Sequence, residues 1–398
     1  VSHVIIPNQN MQPIVQRFQV SFQYPVHFTN GLFEPTNALL ADVLRGDGNV
    51  APRKVYFLID SGVAAHHPHL AAQIKAYAAA HASVLSLCAD PAVMLGGEAC
   101  KNDPALVEQI QRAVNDYGID RHSYIAVIGG GALLDMAGFA AAVSHRGIRL
   151  IRIPTTVLAQ NDSGVGVKNS VNAFHKKNFL GTFAPPFAVL NDFAFLATLD
   201  DRDWRAGISE AIKVALIKDA AFFERIRHDA SALAARDLPA MQYLIYRCAQ
   251  MHLAHIAGGD PFEMGSSRPL DFGHWAAHKL EALTNYEIRH GEAVAIGIAL
   301  DCVYANLAGM LSDAELQIIL EVLDTLGFSL YASALSTRNA NGELAVVQGL
   351  REFREHLGGR LTIMMLEKIG KGVEVHQVNP ELVAQAVERL EKYSLKVA

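Results

Sequence analysis

The chain has 398 residues, enough for two domains of ordinary size, and 51% of them are apolar, so a sizeable buried core is expected. A net charge of −6 is mild and argues against nucleic acid or an anionic membrane surface as the main partner. Four cysteines (Cys88, Cys100, Cys248, Cys302) lie scattered without CxxC spacing and read as reduced thiols of a cytoplasmic protein. The opening VSHVIIPNQNMQPIV lacks the basic and long apolar regions of a signal peptide, and no run of about 20 uncharged apolar residues marks a membrane helix.

In chain order, the first half alternates. KVYFLIDSGV (54–63) is an apolar run ending in Asp60 and Gly62, and HPHLAAQIKAYAAAH follows with helical spacing. ASVLSLCA is apolar again, and NDPALVEQIQRAVNDYG is amphipathic. SYIAVIGGG (123–131) reads as a strand stopping on three glycines, ALLDMAGFAAAVSHRG as a helix, and IRLIRIPTT (148–156) as another strand. This β-α-β-α-β rhythm predicts a parallel sheet covered by helices. The polar, Gly-rich stretch from about 162 to 186 reads as a long functional loop or hairpin. Beyond about residue 203 the apolar period becomes 3.6 and strand signals fade. The expected division is therefore an α/β nucleotide-binding domain at 1–205 and an all-α domain at 206–398. GGRLTIMMLEKIG near the C-terminus is β-like and would either return to the first domain or form a small hairpin. GGDPFEMGSSRP (258–269) reads as an active-site loop between helices.

Three groups of residues carry candidate chemistry. Gly129, Gly130 and Gly131 directly precede a helix, where a diphosphate can approach the backbone and meet N–H groups and positive potential; the same triplet also suits a plain tight turn. Asp60, at a strand end, suits a ribose hydroxyl or a helix cap. His274 and His290 are candidate metal ligands. Glu210, on an otherwise apolar helix, wants a cation, a pairing with Lys213 one turn on, or solvent. Lys168, Lys176, Lys177 and Asn178 crowd the long loop, with Arg146 after the glycine helix; they would hold a phosphorylated substrate, or form a solvated charged loop.

The ordered blocks GGGALLDMAGFAAAVSHRGI, RIPTTVLAQNDSGVGVKNSVN, KKNFLGTFAPP, GISEAIK, LDFGHWAAHKLE and HGEAVAIGIAL resemble the sugar phosphate cyclases, the 3-dehydroquinate synthase superfamily. The match runs from about residue 54 to 310. The resemblance implies a 3-dehydroquinate synthase-like fold, with an N-terminal NAD-binding α/β domain, a helical C-terminal domain and an active site in the cleft between them, in a cytoplasmic homodimer. It places NAD on Gly129, Gly130, Gly131 and Asp135, with Asp60 by a ribose, Glu98 and Lys101 on the adenosine side, and further contacts from Thr155, Thr156, Lys177, Thr198 and Leu199. It makes Glu210, His274 and His290 the ligands of a zinc or cobalt ion. Arg146, Asp162, Lys168, Asn178, Lys213, Asp271 and His278 fall at substrate-side positions, and Lys177 also belongs to the group that would hold the phosphate.

Departures from the dehydroquinate synthase pattern bear on the substrate. Asp271 stands in DFGH where those enzymes usually have Asn. The upstream Lys position falls near 251–253, where there is no Lys, and Arg268 is out of register by one residue. His356 stands where paired lysines are usual, and GGK has become GVK. These changes resemble the branch that cyclises sedoheptulose 7-phosphate to valiolone-type cyclitols. The reaction implied is a transient oxidation by NAD, elimination of phosphate, return of the hydride and aldol closure of a carbocycle. The alternatives are 3-dehydroquinate synthase itself, a metal-dependent polyol dehydrogenase, and a catalytically silent binding protein that retains the cleft.

Overall fold

The computed structural model describes residues 13–46, 51–174, 176–258, 261–262, 270–356 and 361–397. Arg268 lies outside the described residues, as does the side chain of His356. The first half holds strands β1 (Val26–Thr29), β2 (Arg53–Asp60), β3 (Leu85–Leu87), β4 (Ala92–Met94), β5 (Tyr124–Gly129), β6 (Arg149–Pro154), β7 (Lys168–Ala173), β8 (Lys176–Phe183) and β9 (Ala188–Asp192). Between them run helices α1 (Leu39–Arg45), α2 (Ser61–His66), α3 (Leu70–Ala80), α4 (Pro104–Asp116) and α5 (Gly131–Val143). Seven strands form one parallel sheet in the order β1-β9-β6-β5-β2-β3, with β4 also on β2.

The unbroken apolar runs end up as the central strands because both faces of a parallel sheet are covered. All six residues of β5 are buried. In β2, Val55, Phe57 and Ile59 face a core shared with α1 and α3. Tyr56 and Leu58 face the opposite core, shared with α4 and α5. The two cores follow from the period-2 alternation of a strand.

The second half is helical: α6 (Asp201–Lys218), α7 (Ala220–Ala234), α8 (Leu238–Ala257), α9 (His274–Leu283), α10 (His290–Leu307), α11 (Asp313–Thr325), α12 (Ala345–His356) and α13 (Pro380–Val397). Strands β10 (Ile363–Lys368) and β11 (Lys371–Val375) form an antiparallel hairpin packed against the helical core, so the β-like C-terminal piece does not return to the sheet. Side-chain oxygens of Asp60, Asp103, Asp200, Asp219 and Asp237 accept backbone N–H groups at the starts of α2, α4, α6, α7 and α8. Aspartate is a favoured cap because it satisfies donors that lack an intrahelical partner. None of the described helices is long and apolar enough to cross a membrane.

The stretch from 162 to 186 opens with a wide helical turn (Ala159–Ser163) and continues as the β7–β8 hairpin. Its base is set by Arg152 of β6, which is fully buried. The guanidinium donates to the carbonyls of Gly164 (3.2 Å), Gly166 (2.8 Å) and Lys168 (2.7 Å) and to Asn169 Oδ1 (2.7 Å). A planar fork of five donors suits such a ring of carbonyls, which a lysine ammonium would not span.

Helix α10 is buried on all sides from Ala293 to Ala305, the pattern of a helix at the centre of its domain. It carries one carboxylate in that run, Asp301, at 0% exposure. Burial pushes the Asp301 pKa up from 3.8 to about 7, against two hydrogen bonds that lower it. Below about pH 4 the folded and unfolded chains both hold the proton and the burial is free of charge; above about pH 7 both have lost it and the fold carries a buried anion. The wild type should therefore lose stability relative to Asp301→Asn as pH rises from about 4 to about 7. Denaturant midpoints of the two proteins across that range measure the effect, and parallel curves would contradict it.

Candidate active site

A cleft of about 890 Å³ lies between the carboxyl ends of the sheet strands and the helices α6, α8, α9 and α10. Crevices at the carboxyl ends of parallel strands are where α/β folds bind ligands. On the sheet side, Asp60 ends β2 and accepts the Gly62 N–H at 2.8 Å, so it is a cap and a cleft residue at once. Burial raises its pKa, against hydrogen bonds from Gly62, Val63 and Gly130. Gly130 caps α5 and Gly131 is its first residue, and both line the cleft. A Cβ at 131 would fall 2.5 Å from Ser163 Oγ, so glycine there admits the wide turn. Gly129 does not line the cleft: it ends β5, and a Cβ there would press on Asp60 and Leu133.

Glu98, Lys101, Asp135, Thr155, Thr156, Lys177, Thr198 and Leu199 all line the same cleft. The buried Lys101 ammonium donates to Asp135 (2.8 Å), Ser170 (3.1 Å) and Asn178, tying the cofactor-side and substrate-side candidates into one network. Asp162, Lys168, Asn178, Lys213, Asp271 and His278 also line it. Lys176 lies outside the lining, over the Phe179 ring.

Arg146, like Gly129 and Lys176, is absent from the cleft lining. It is exposed in the turn after α5, while the cleft lies at the start of that helix. The 13 residues of α5 carry the chain about 20 Å away, at 1.5 Å per residue.

Beneath the cleft, Glu210 of α6 is completely buried. Its Oε1 lies 3.5 Å from His274 Nε2 and 3.5 Å from His290 Nε2. Four ligands held at about 2.1 Å around a tetrahedral ion stand about 3.4 Å apart, so the spacing fits zinc or a cation of similar size. Neither oxygen of Glu210 has a hydrogen-bond partner among the described residues. The Lys213 ammonium touches Oε2 without hydrogen-bond geometry. A buried carboxylate with two orphan oxygens facing two imidazole nitrogens is a site shaped for a cation. Burial opposes the charge of Glu210, but Lys213 and His274 outweigh it and hold the carboxyl well below its ordinary range. His274 Nδ1 faces the Phe272 carbonyl at 3.1 Å, which can only accept, so Nδ1 is the donor and Nε2 is the nitrogen that would meet a metal.

His278, one turn after His274, presents its edge to the cleft. Crowding by protein and by the neighbouring His274 and His290 rings holds its pKa well below 6.5. Lys213 keeps its proton because Glu210 and Asp162 outweigh the cost of burial.

Two further residues complete the site. Glu281, seven residues after His274 on the same face of α9, accepts from His290 Nδ1 (3.1 Å) and from Lys177 of β8 (3.0 Å). Its place on the His274–His278 stripe was the available signal. His252 of α8 lines the cleft 2.8 Å from Asp162, within the 251–253 stretch that lacks a lysine. Its spacing with His255 and Ile256, both also in the lining, is that of one helix face.

Residues 92–206 match the family model for the N-terminal domain of 3-dehydroquinate synthase, and 207–345 the model for its C-terminal domain. A 3-dehydroquinate synthase from Ruegeria pomeroyi is 35% identical over 370 residues, covering 92% of this chain and 95% of that one. A 2-epi-5-epi-valiolone synthase from Streptomyces glaucescens is 32% identical over 371 residues, covering 92% and 91%. The solved structure of a 2-epi-5-epi-valiolone synthase from Streptomyces hygroscopicus subsp. jinggangensis, with NAD+ and Zn2+ bound, superposes with a TM-score of 0.83 at 30% identity over 96% of this chain and 100% of that one. The chain belongs to the 3-dehydroquinate synthase family. Within it, the protein is a sugar phosphate cyclase.

Carboxylates behind metal-bound histidines orient the ring and raise its basicity, and their loss typically lowers metal affinity 10–100-fold. Glu281→Gln should weaken Zn2+ or Co2+ binding to the metal-free protein by about that factor. Competition with a chromogenic chelator measures it; an unchanged affinity would leave Glu281 as a partner of Lys177 only.

Proposed function

We propose that this protein cyclises sedoheptulose 7-phosphate to a valiolone-type cyclitol with loss of phosphate, using NAD and a divalent metal, zinc or cobalt. The observation that carries the substrate choice is Asp271. It faces the cleft where dehydroquinate synthases usually have a neutral amide, and among the described residues the α8–α9 wall of the cleft contributes His252 and His255 but no lysine or arginine. A substrate carboxylate needs cations or N–H donors, and a carboxylate placed against it is repulsive. A ketose head offers hydroxyl donors that Asp271 can accept. The likeness to two 2-epi-5-epi-valiolone synthases supports this reading; the likeness to 3-dehydroquinate synthases supports the runner-up, in which the substrate is the carboxylate-bearing heptulosonate.

In this reading the N-terminus of α5, at Gly130 and Gly131, receives the NAD diphosphate, and Asp60 takes a ribose hydroxyl. Glu210, His274 and His290 hold the metal. When bound, NAD accepts a hydride and returns it within the cycle, and the metal polarises a sugar oxygen. Lys168, Asn178 and Lys177 hold the phosphate group by charge-assisted hydrogen bonds. Lys213, kept protonated, donates to substrate oxygens. His278, kept neutral, accepts a proton at its exposed edge. Asp162 and His252, paired across the cleft floor, orient hydroxyls. A homodimer in the cytoplasm belongs to the same reading, on family resemblance.

Parallel assays of the two heptulose phosphates decide the substrate. An unpaired buried charge costs about 3–5 kcal/mol, and each 1.4 kcal/mol is tenfold. The kcat/KM for sedoheptulose 7-phosphate should therefore exceed that for the heptulosonate by about a hundredfold or more; the reverse order would restore dehydroquinate synthase. Asp271→Asn should impair the ketose reaction without creating efficient use of the acid.

NADH should not accumulate with product, and NAD should bind more weakly when Gly130 is replaced by a bulky residue. Calorimetry and absorbance of free NADH check both; NADH released in proportion to product would indicate a dehydrogenase instead.

A further inference from the structure

Asp301 is a fully buried carboxylate with no ion-pair partner among the described residues, at 0% exposure in the interior of α10. Each oxygen has one donor. Oδ2 accepts the backbone N–H of Gly273 at 2.9 Å, and Oδ1 accepts the indole N–H of Trp275 at 2.8 Å. Those donors are the two chain neighbours of His274.

The Gly273 N–H and the Phe272 carbonyl belong to one peptide unit. That carbonyl accepts the Nδ1–H of His274 at 3.1 Å. A continuous hydrogen-bonded line therefore runs from the Asp301 carboxylate through a single peptide to the imidazole, whose other nitrogen stands 3.5 Å from Glu210. A peptide whose N–H is held by a carboxylate is polarised, and its carbonyl is the stronger acceptor. The following peptide, Gly273–His274, is packed closely from behind. Gly273 has φ +77° and caps α9, and a Cβ on Gly297, one turn before Asp301, would fall 2.0 Å from the Gly273 carbonyl oxygen. Helix α10 thus presses its backbone directly against the turn that launches His274.

We propose that Asp301 is a positioning residue for His274, acting through the Phe272–Gly273 peptide to fix its tautomer and raise its strength as a metal ligand. The proposal rests on the reading of Glu210, His274 and His290 as metal ligands. It makes the two histidines alike: His290 has the Glu281 carboxylate directly behind it, and His274 has the Asp301 carboxylate one peptide removed.

The experiment titrates Co2+ into the metal-free full-length wild type, Asp301→Asn, Asp301→Ser and Trp275→Phe, following the visible absorption bands, with NAD affinity measured on each protein. Asp301→Asn and Asp301→Ser should bind Co2+ about tenfold or more weakly with shifted bands, as expected for loss of an outer-shell partner, while NAD affinity stays within about twofold, as for an independent site. Trp275→Phe, which spares the peptide link, should leave the bands in place and change Co2+ affinity by less than about threefold. Bands and affinity unchanged in whichever Asp301 variant folds would overturn the proposal. So would a Trp275→Phe variant that reproduces the whole loss, because Asp301 would then be only an anchor for the helix. A wild type that takes up no Co2+ would remove the metal reading and this proposal with it; a wild type and variants that bind alike would remove this proposal alone.

Discussion

Glu210 is a completely buried carboxylate with two oxygens that no hydrogen bond among the described residues satisfies, set against two imidazole nitrogens and one ammonium. An isolated charge in a protein interior costs far more than any single contact in a fold returns. The surroundings are built to bear that cost. Lys213 sits one turn along the same helix, His274 opens α9, and His290 opens α10, so three helices must meet at one point for the carboxylate to be tolerated. The tight crossings that allow this involve glycine: a Cβ on Gly291 would fall 2.3 Å from the Ala206 carbonyl, and one on Gly297 would strike Gly273.

The sheet half answers the same point from the other side. Parallel strands end together, so the chain turns after β2, β5 and β6 all open on one crevice. The helix dipole of α5 and the free N–H groups at its start face that crevice beside Asp60. Between the halves, Arg152 gathers the carbonyls of the 164–168 segment and so fixes the loop bearing Asp162 and Lys168. Glu281 then ties Lys177 of the hairpin to His290 of the helical core. The cofactor side and the cation side are thereby joined by ion pairs and hydrogen bonds rather than by a shared apolar core alone.

Charge is what separates the substrates open to such a site. The cleft lining carries Lys101, Lys168 and Lys177 on its sheet and hairpin walls, and on the helical side Lys213 and Arg289 together with Asp271, His252 and His278. That distribution suits a sugar phosphate with hydroxyls at the far end. In the proposed reading a second anionic end would meet Asp271 and be disfavoured.

Much of this was legible in the sequence by local rules. Unbroken apolar runs mark β2, β5 and β6 because both faces of a parallel strand are buried, and a 3.6 period marks the helices from α6 onward because each buries one face or all of them. Residue type and spacing left Glu210, His274 and His290 as candidates with plainer alternatives, and the resemblance of the GISEAIK, DFGH and HGEA blocks to the family pattern joined them as a ligand set. The structure brings those three within ligand distance of one another. Contacts between distant segments were not legible. Nothing local told that His252 would pair with Asp162, or that the carboxylate of Asp301 would reach the peptide before His274, 28 residues away in the chain. Spacing along a helix or strand determines which residues share a face. Which face meets which is decided only when the elements pack, because crossing angle and helix phase are set by side-chain volumes summed over the whole core.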